Sequence, residues 1–374
     1  MKKYFSLLAM AAMAACSLTS CEDDNNGVAE LKPVTTSDGV FVINNGSQLG
    51  GNDGSLTYYD YGTATATQDM YRTANGVSLG VTPNHAVVYG SKIYIVGSDE
   101  KTIFIADRQT LKRVTNLKVE VDGEAATPRQ AVAGNGCVYV STFSHVIVVV
   151  DTLTNVISHT LESGDYSEGM ALEGKYLYVA NSNYGQGVLE SSRPSISMID
   201  LETRETKLFT HEAISNPVDV KIVAGRMFFL DSGTYIYNGD WIQVGAGVYE
   251  LADGNVTKIA NATEMACCDG KIFTIYAPFT TPSTTPTYQV YDVEDNTLTA
   301  FCDGSDISYP CKISADPIKN YVYITSYRMA STGYPDYKAP GYCVVYGTAG
   351  TKHAEFDCGI GPGYAVPNFS VGHE

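Results

Sequence analysis

The feature that most constrains this chain is an internal repeat. An aromatic residue sits inside a short β-forming run at Phe41, Tyr94, Tyr139, Tyr178, Phe228, Phe273 and Tyr323. These positions recur roughly every 40–50 residues, the period of a four-stranded repeat unit. A second marker closes a later strand of each unit with an acid: Tyr59-Asp60, Ala106-Asp107, Val150-Asp151, Ile199-Asp200, Tyr249-Glu250 and Tyr291-Asp292. The seventh copy, Val345-Tyr346-Gly347, lacks it. Within the second unit the runs Ala86–Tyr89, Lys92–Val96, Thr102–Ala106 and Arg113–Val119 read as four strands separated by turn residues. Outside the first residues, no segment carries an amphipathic helical period. Four strands repeated seven times predict an all-β fold, a seven-bladed β-propeller. An eight-bladed ring or two separate sandwiches would be the alternatives.

The ends of the chain predict how such a ring closes. Only the polar stretch Leu31–Asp38 precedes Phe41, so the first unit lacks an inner strand. The C-terminal run Gly363–Phe369 resembles the start of a blade with no blade after it. It is expected to pair into blade one as the missing inner strand, removing an open sheet edge.

Met1-Lys2-Lys3 followed by the apolar run Tyr4–Ala15 reads as an export signal, too short to span a membrane. The phrase Leu18-Thr19-Ser20-Cys21 resembles the lipobox of bacterial lipoproteins and implies acylation of Cys21. Cys16 is the alternative, but Met13 stands where the pattern prefers an aliphatic like Leu18. The acidic run Glu22-Asp23-Asp24 resembles a Bacteroidetes surface-export signal and reads equally as a solvated linker. The expected organisation is a lipoprotein signal peptide over 1–20, the acylated cysteine and an acidic tether over 21–37, and one propeller domain over 38–374. The expected location is the outer membrane, facing the medium.

Composition narrows the partners. A formal net charge of −17 argues against nucleic acid. Tyrosine is in excess, 27 against 12 Phe and one Trp, which favours a ligand or partner surface. The seven cysteines after Cys21 include no CxxC pair; a Cys302–Cys311 disulfide is one option among free thiols.

In a propeller, the loops entering each inner strand share a face with those joining the second and third strands. The long members of the second set are Asn44–Gly54, Asn181–Pro194, Asp231–Gly245, Tyr276–Thr287 and Tyr327–Tyr342. Loops this long are costly to order and carry function. They supply the candidate ligand-binding residues Asn183, Tyr184, Tyr235, Tyr237, Trp241, Tyr276, Phe279, Tyr327, Arg328, Tyr334 and Tyr337. The entry loops supply Asn84, His85, Arg129, Glu168 and Tyr364 around the central channel. His85, Glu168, Asp219 and Glu264 would be the ligands if the channel held a divalent metal, as in propeller lactonases, but a solvated channel explains them equally. The loop Gly50–Gly54 would suit Ca²⁺ or a plain tight turn. No GxSxG, HExxH or P-loop pattern is present, so no catalytic residue and no cofactor are assigned, and the expectation is a binding protein, not an enzyme.

The phrase Phe41-Val42-Ile43-Asn44-Asn45-Gly46-Ser47, continuing as Gly51-Asn52-Asp53-Gly54-Ser55-Leu56-Thr57-Tyr58-Tyr59-Asp60, resembles the first blade of the YncE-like propeller lipoproteins of Bacteroides. The resemblance runs in blade order over the mature chain. It implies a surface lipoprotein, with cobalamin or another corrinoid as transported ligand and a TonB-dependent outer-membrane transporter of BtuB type as partner. A protein- or glycan-binding propeller of another uptake system, or a metal-dependent lactonase or lyase, are the alternatives.

Overall fold

Val40, Phe41, Val42 and Ile43 are consecutive in one strand, and each is at most 1% exposed. A strand sends alternate side chains to opposite faces, so both faces of this sheet must be covered. Val40 and Val42 pack against Tyr323, Cys343 and Val345 near the C-terminus, while Phe41 and Ile43 pack against Ala86, Val88 and Phe104. One blade along, Ile93 and Ile95 face back toward Phe41, and Tyr94 and Val96 face forward onto Val138 and Val140. Sheets covered on both faces explain why the strands read as continuous apolar runs.

The structure, a computed structural model, describes residues 33–184, 193–280 and 283–373. It holds seven four-stranded antiparallel sheets arranged as a seven-bladed β-propeller. The second blade is typical: Pro83–Tyr89 innermost, then Lys92–Gly97, Thr102–Asp107 and Arg113–Lys118. The remaining inner strands are Pro128–Gly134, Ser167–Glu173, Pro217–Val223, Glu264–Cys268 and Tyr309–Asp316. Blade one is closed as expected, with Pro362–His373 innermost beside Pro33–Asn44 and with Phe41 opposite Val366. A buried cluster fastens this seam, where Ser37 Oγ donates to Asp316 Oδ2 at 2.5 Å and the Tyr61 and Tyr323 hydroxyls are bonded to each other.

The strand from Pro33 reaches into the segment read as tether, because residues 33–37 pair with 369–373. The signal, Cys21 and the acidic run lie outside the described residues. Helix is confined to Met70–Asn75 among the described residues, and no described helix is long and apolar enough to cross a membrane. Cys302 and Cys311 do not pair; both are free thiols.

The repeated acid also finds its cause. Asp60, Asp107, Asp151, Asp200 and Asp292 each accept backbone N–H bonds from the residues two or three further on. Each so caps a turn whose next residue is left-handed: Ala64, Leu111, Asn155, Arg204 and Asn296. Blade five turns instead through Asp253-Gly254, both at positive φ, a residue pair suited to a two-residue hairpin. Its Glu250 is released to pair with Arg226 at 2.7 Å.

Candidate functional site

On the face opposite those turns, the inner strands begin irregularly. Six of the seven carry an extra residue on entry: after Pro83, Pro128, Ser167, Pro217, Pro310 and Pro362 the register against the second strand slips. Such bulges re-aim side chains and collect near functional sites. Here they direct charged and polar groups toward the ring axis.

The result is a mouth to which every blade contributes: Tyr364, His85, Arg129, Glu168, the pair Asp219 and Lys221, Glu264, and Lys312. Arg129 grips Glu168 with two bonds, at 3.0 and 3.3 Å. Lys312 Nζ lies 2.5 Å from Glu264 Oε1, and Lys221 Nζ 2.7 Å from Asp219 Oδ2. The His85 ring meets the Tyr364 ring edge-on at 4.9 Å, and Lys312 Nζ stands 5.1 Å from the centre of the Tyr364 ring. His85 Nδ1 accepts the Ala131 N–H at 3.3 Å, which leaves the proton on Nε2. Asn84 Nδ2 donates to the Arg129 carbonyl at 2.8 Å, so its amide ties blade two to blade three.

The electrostatics follow from enclosure. Burial, with the positive charges of Lys221 and Lys312 nearby, pushes the His85 pKa down to about 3. Burial pushes the Tyr364 hydroxyl up to about 12. Burial also works against charge on Lys312, but Glu264 beside it wins and holds the ammonium above its ordinary range. The mouth thus pairs Arg129, Lys221 and Lys312 with Glu168, Asp219 and Glu264 beside a neutral imidazole, and burial pushes the Glu168 and Glu264 carboxyls above the usual carboxylate range against the pull of Arg129 and Lys312. The carboxylates that the metal alternative requires are each taken by a cation, and no three described His, Cys, Asp or Glu side chains are grouped to hold a metal ion. Asp53 of the glycine-rich loop is likewise occupied, by Arg72 at 3.5 Å and Ser78 Oγ at 2.6 Å.

Around the mouth stands an arc of aromatics on the long loops. The Arg129 guanidinium lies 4.6 Å from the centre of the Phe143 ring, and Phe143 stacks on Tyr184 at 4.6 Å. Tyr184 is 59% exposed, Tyr237 66%, Trp241 54%, Phe279 54% and Tyr334 73%. Exposed rings in this number on one face make it the candidate interaction surface of the described residues. Tyr327 meets Tyr337 edge-on at 4.9 Å, and Tyr276 ends the second strand of blade six beside this arc. Asn183 is placed by its N–H, which donates to Asn216 Oδ1 at 2.9 Å.

The blade-five loop is a hairpin, Thr234–Tyr237 with Trp241–Val244. Tyr237 lies against Trp241, 5.4 Å between centres, and Tyr235 against Phe279 of blade six at 6.2 Å. Its base is fixed. Gln243 N–H donates to the Phe279 carbonyl at 2.7 Å, and Gln243 Oε1 accepts the Phe279 N–H at 3.1 Å. Below it, the buried Asp231 carboxylate accepts from Ser215 N, Ser215 Oγ, Asn216 N and Gly233 N, at 2.7–3.0 Å.

One sequence candidate falls elsewhere. Arg328 pairs with Asp357 at 2.5 Å and covers Tyr342 at 4.8 Å, lining a cleft of about 620 Å³ between blades seven and one. Tyr327 ends its strand and Arg328 is the first residue past it, so the ion pair with Asp357, and not strand alternation, sets the direction of the arginine. Lys221, Lys312, Phe143 and Gln243 belong to the site and escape a sequence reading. The repeated proline before the bulge was the available signal for the two lysines.

Residues 38–216, which hold blades two to four and, from residue 38 on, the outer three strands of blade one, match the family model described as a domain of unknown function, DUF5074. No curated protein matches the chain. Among solved structures it is similar to the hydrazine synthase of Kuenenia stuttgartiensis, with 16% identity over 73% of this chain and 86% of that one and a TM-score of 0.46. The computationally designed Ika8 protein is similar at 11% identity, over 75% and 88% of the two chains, with a TM-score of 0.48. The Pan2 WD40 domain of Neurospora crassa is similar at 11% identity, over 74% and 79%, with a TM-score of 0.48.

Proposed function

We propose that this chain is a lipid-anchored surface protein that captures a corrinoid on its loop face and passes it to a TonB-dependent outer-membrane transporter. The observation that carries this reading is the exposed aromatic arc around a polar, charge-balanced mouth. A corrinoid is broad, flat and rimmed with amides. Rigid Tyr and Trp rings give it stacking area at low entropic cost, and the mouth offers hydrogen bonds to its rim. The resemblance to YncE-like lipoproteins, among them the cobalamin-binding BtuG, points the same way. Acylation of Cys21 would hold the protein at the membrane, with the described chain starting at Pro33 on the face opposite the aromatic arc. In this reading the protein performs no chemistry.

Trp241 is the only tryptophan, so its fluorescence reports directly on the face. Cyanocobalamin and cobinamide should give saturable quenching and a matching calorimetric heat. Trp241→Ala should weaken binding at least tenfold, as for an interface anchor, with the melting temperature unchanged. No heat at micromolar protein would remove the proposal.

A further inference from the structure

The hydrogen-bonding capacity of the channel mouth is only partly used. A lysine ammonium has three donors and a guanidinium five. Among the described residues, Lys312 Nζ bonds Glu264 alone, and Arg129 spends two donors on Glu168 and leaves Nη1 free. These side chains are enclosed by seven blades yet remain 35% and 23% accessible, so what they face is the channel. Acceptor capacity is also left over, since Glu264 Oε2 has no partner among the described residues. Donors and acceptors therefore stand side by side, and the charges of Arg129, Lys221 and Lys312 cancel those of Glu168, Asp219 and Glu264.

A ligand group with a full charge would meet attraction and repulsion at similar range. Its lost hydration would not be recovered. An uncharged group carrying one strong acceptor and one donor within about 2–3 Å of each other suits both halves of an ion pair at once.

We propose that the channel mouth is a subsite for a primary carboxamide, its oxygen accepting from Lys312 or Arg129 and its NH₂ donating to Glu264 or Glu168. This rests on the corrinoid reading above, and it adds which group of the ligand enters the channel and what is refused there. Hydrolysing that one amide to an acid places a carboxylate against Glu264 and Glu168.

The test is calorimetry of the intact protein with cyanocobalamin and, separately, with each monocarboxylic acid made by hydrolysing one side-chain amide. At least one mono-acid should bind the wild type about tenfold more weakly or worse. Glu264→Gln should close that gap, because the repelling charge is gone and Lys312 is free to take the carboxylate. Glu168→Gln is the second variant, should the first fail to melt cooperatively. Equal binding of cyanocobalamin and every mono-acid by the wild type overturns the subsite while leaving corrinoid capture intact. So does a gap that persists in both variants. No binding of any of these ligands removes the subsite together with the reading beneath it.

Discussion

The two faces of this ring are made by the same seven repeats and differ in kind. On the turn face, five blades use one device, an aspartate capping a turn that ends in a left-handed residue. On the loop face the long loops of blades one, five and seven, which are described throughout, differ from one another. Blade five raises an aromatic hairpin, blade seven folds Met329 back onto Pro335, and blade one closes a turn between Ser47 and Asn52. Blades two and three stay short, with only four and three residues between their second and third strands. A feature that repeats in every blade answers to the fold, which each blade must satisfy alone. A feature that departs from its own repeat answers to something outside the fold. By that criterion the turn aspartates and the entry bulges, which recur in six of the seven blades, are structural, and the blade-five hairpin, which no other described loop repeats, is the candidate for function.

The largest expected effect comes from Asp231, where a loop-face feature has become part of the framework. Its carboxylate is buried and serves four donors from two chain segments. Asp231→Ala leaves those donors without a partner, at a cost of about 3 kcal/mol. Urea unfolding should show that loss, and ligand binding should weaken as well because the hairpin base is released. If stability fell and binding did not, the hairpin would be decoration and the contrast between the faces would fail on this blade.

His85 comes next, in the channel mouth on the loop face. Folded, it stays neutral down to about pH 3, whereas unfolded it takes a proton near pH 6.5. Between those values the unfolded chain binds a proton that the folded chain refuses, so acidification favours unfolding. The contribution is full above about pH 6.5 and is lost at up to about 1.4 kcal/mol per pH unit as the pH falls. Lys221, Lys312, Glu168 and Glu264 share this mouth, so the quantity to measure is the difference between the wild type and His85→Gln from pH 6.5 to 5. The variant should be less pH-sensitive by that slope. Equal slopes would mean that the ring takes the proton while folded, and the mouth would then not be closed to charge.

The sequence carried the fold well because a propeller is a local rule applied seven times. Each aromatic marker, from Phe41 to Tyr323, falls in the second strand of its blade, and the orphan C-terminal run is the closing strand. The site was legible by region and not by partner. Arg129 and Glu168, or Lys312 and Glu264, come from different blades, and nothing local pairs them. Lys221 and Lys312 lie just past the bulges, where alternation no longer tells which side a residue faces. Arg328 lies one residue past its strand, and the partner that draws it aside, Asp357, comes from the outermost strand of the blade, a pairing that nothing local announces. The acid marker was plain in the sequence, but its cause, a capped turn, becomes visible only when the N–H groups of Thr110 or Thr154 are seen to point at it.

That capped turn gives the smallest expected effect and the sharpest control on the comparison. Asp107 accepts the Thr110 N–H and Oγ1–H, both at 2.8 Å, and the Gln109 N–H at 3.2 Å. These bonds hold its carboxyl below the usual carboxylate range. The turn they stabilise sets Leu111 at φ 55° and seats its side chain, 1% exposed, in the core between blades one and two. Asp107→Ala should cost about 1 kcal/mol, and Asp107→Asn should recover part of it because an amide oxygen accepts the same bonds. The contribution is present above the ordinary carboxyl pKa and is lost as the pH falls through the depressed one, so the wild-type advantage over Asp107→Ala should shrink on acidification. Ligand affinity should be the same in all three proteins. A change in affinity would mean that the turn face reports to the loop face through the blade, and repetition would no longer mark what is only structural.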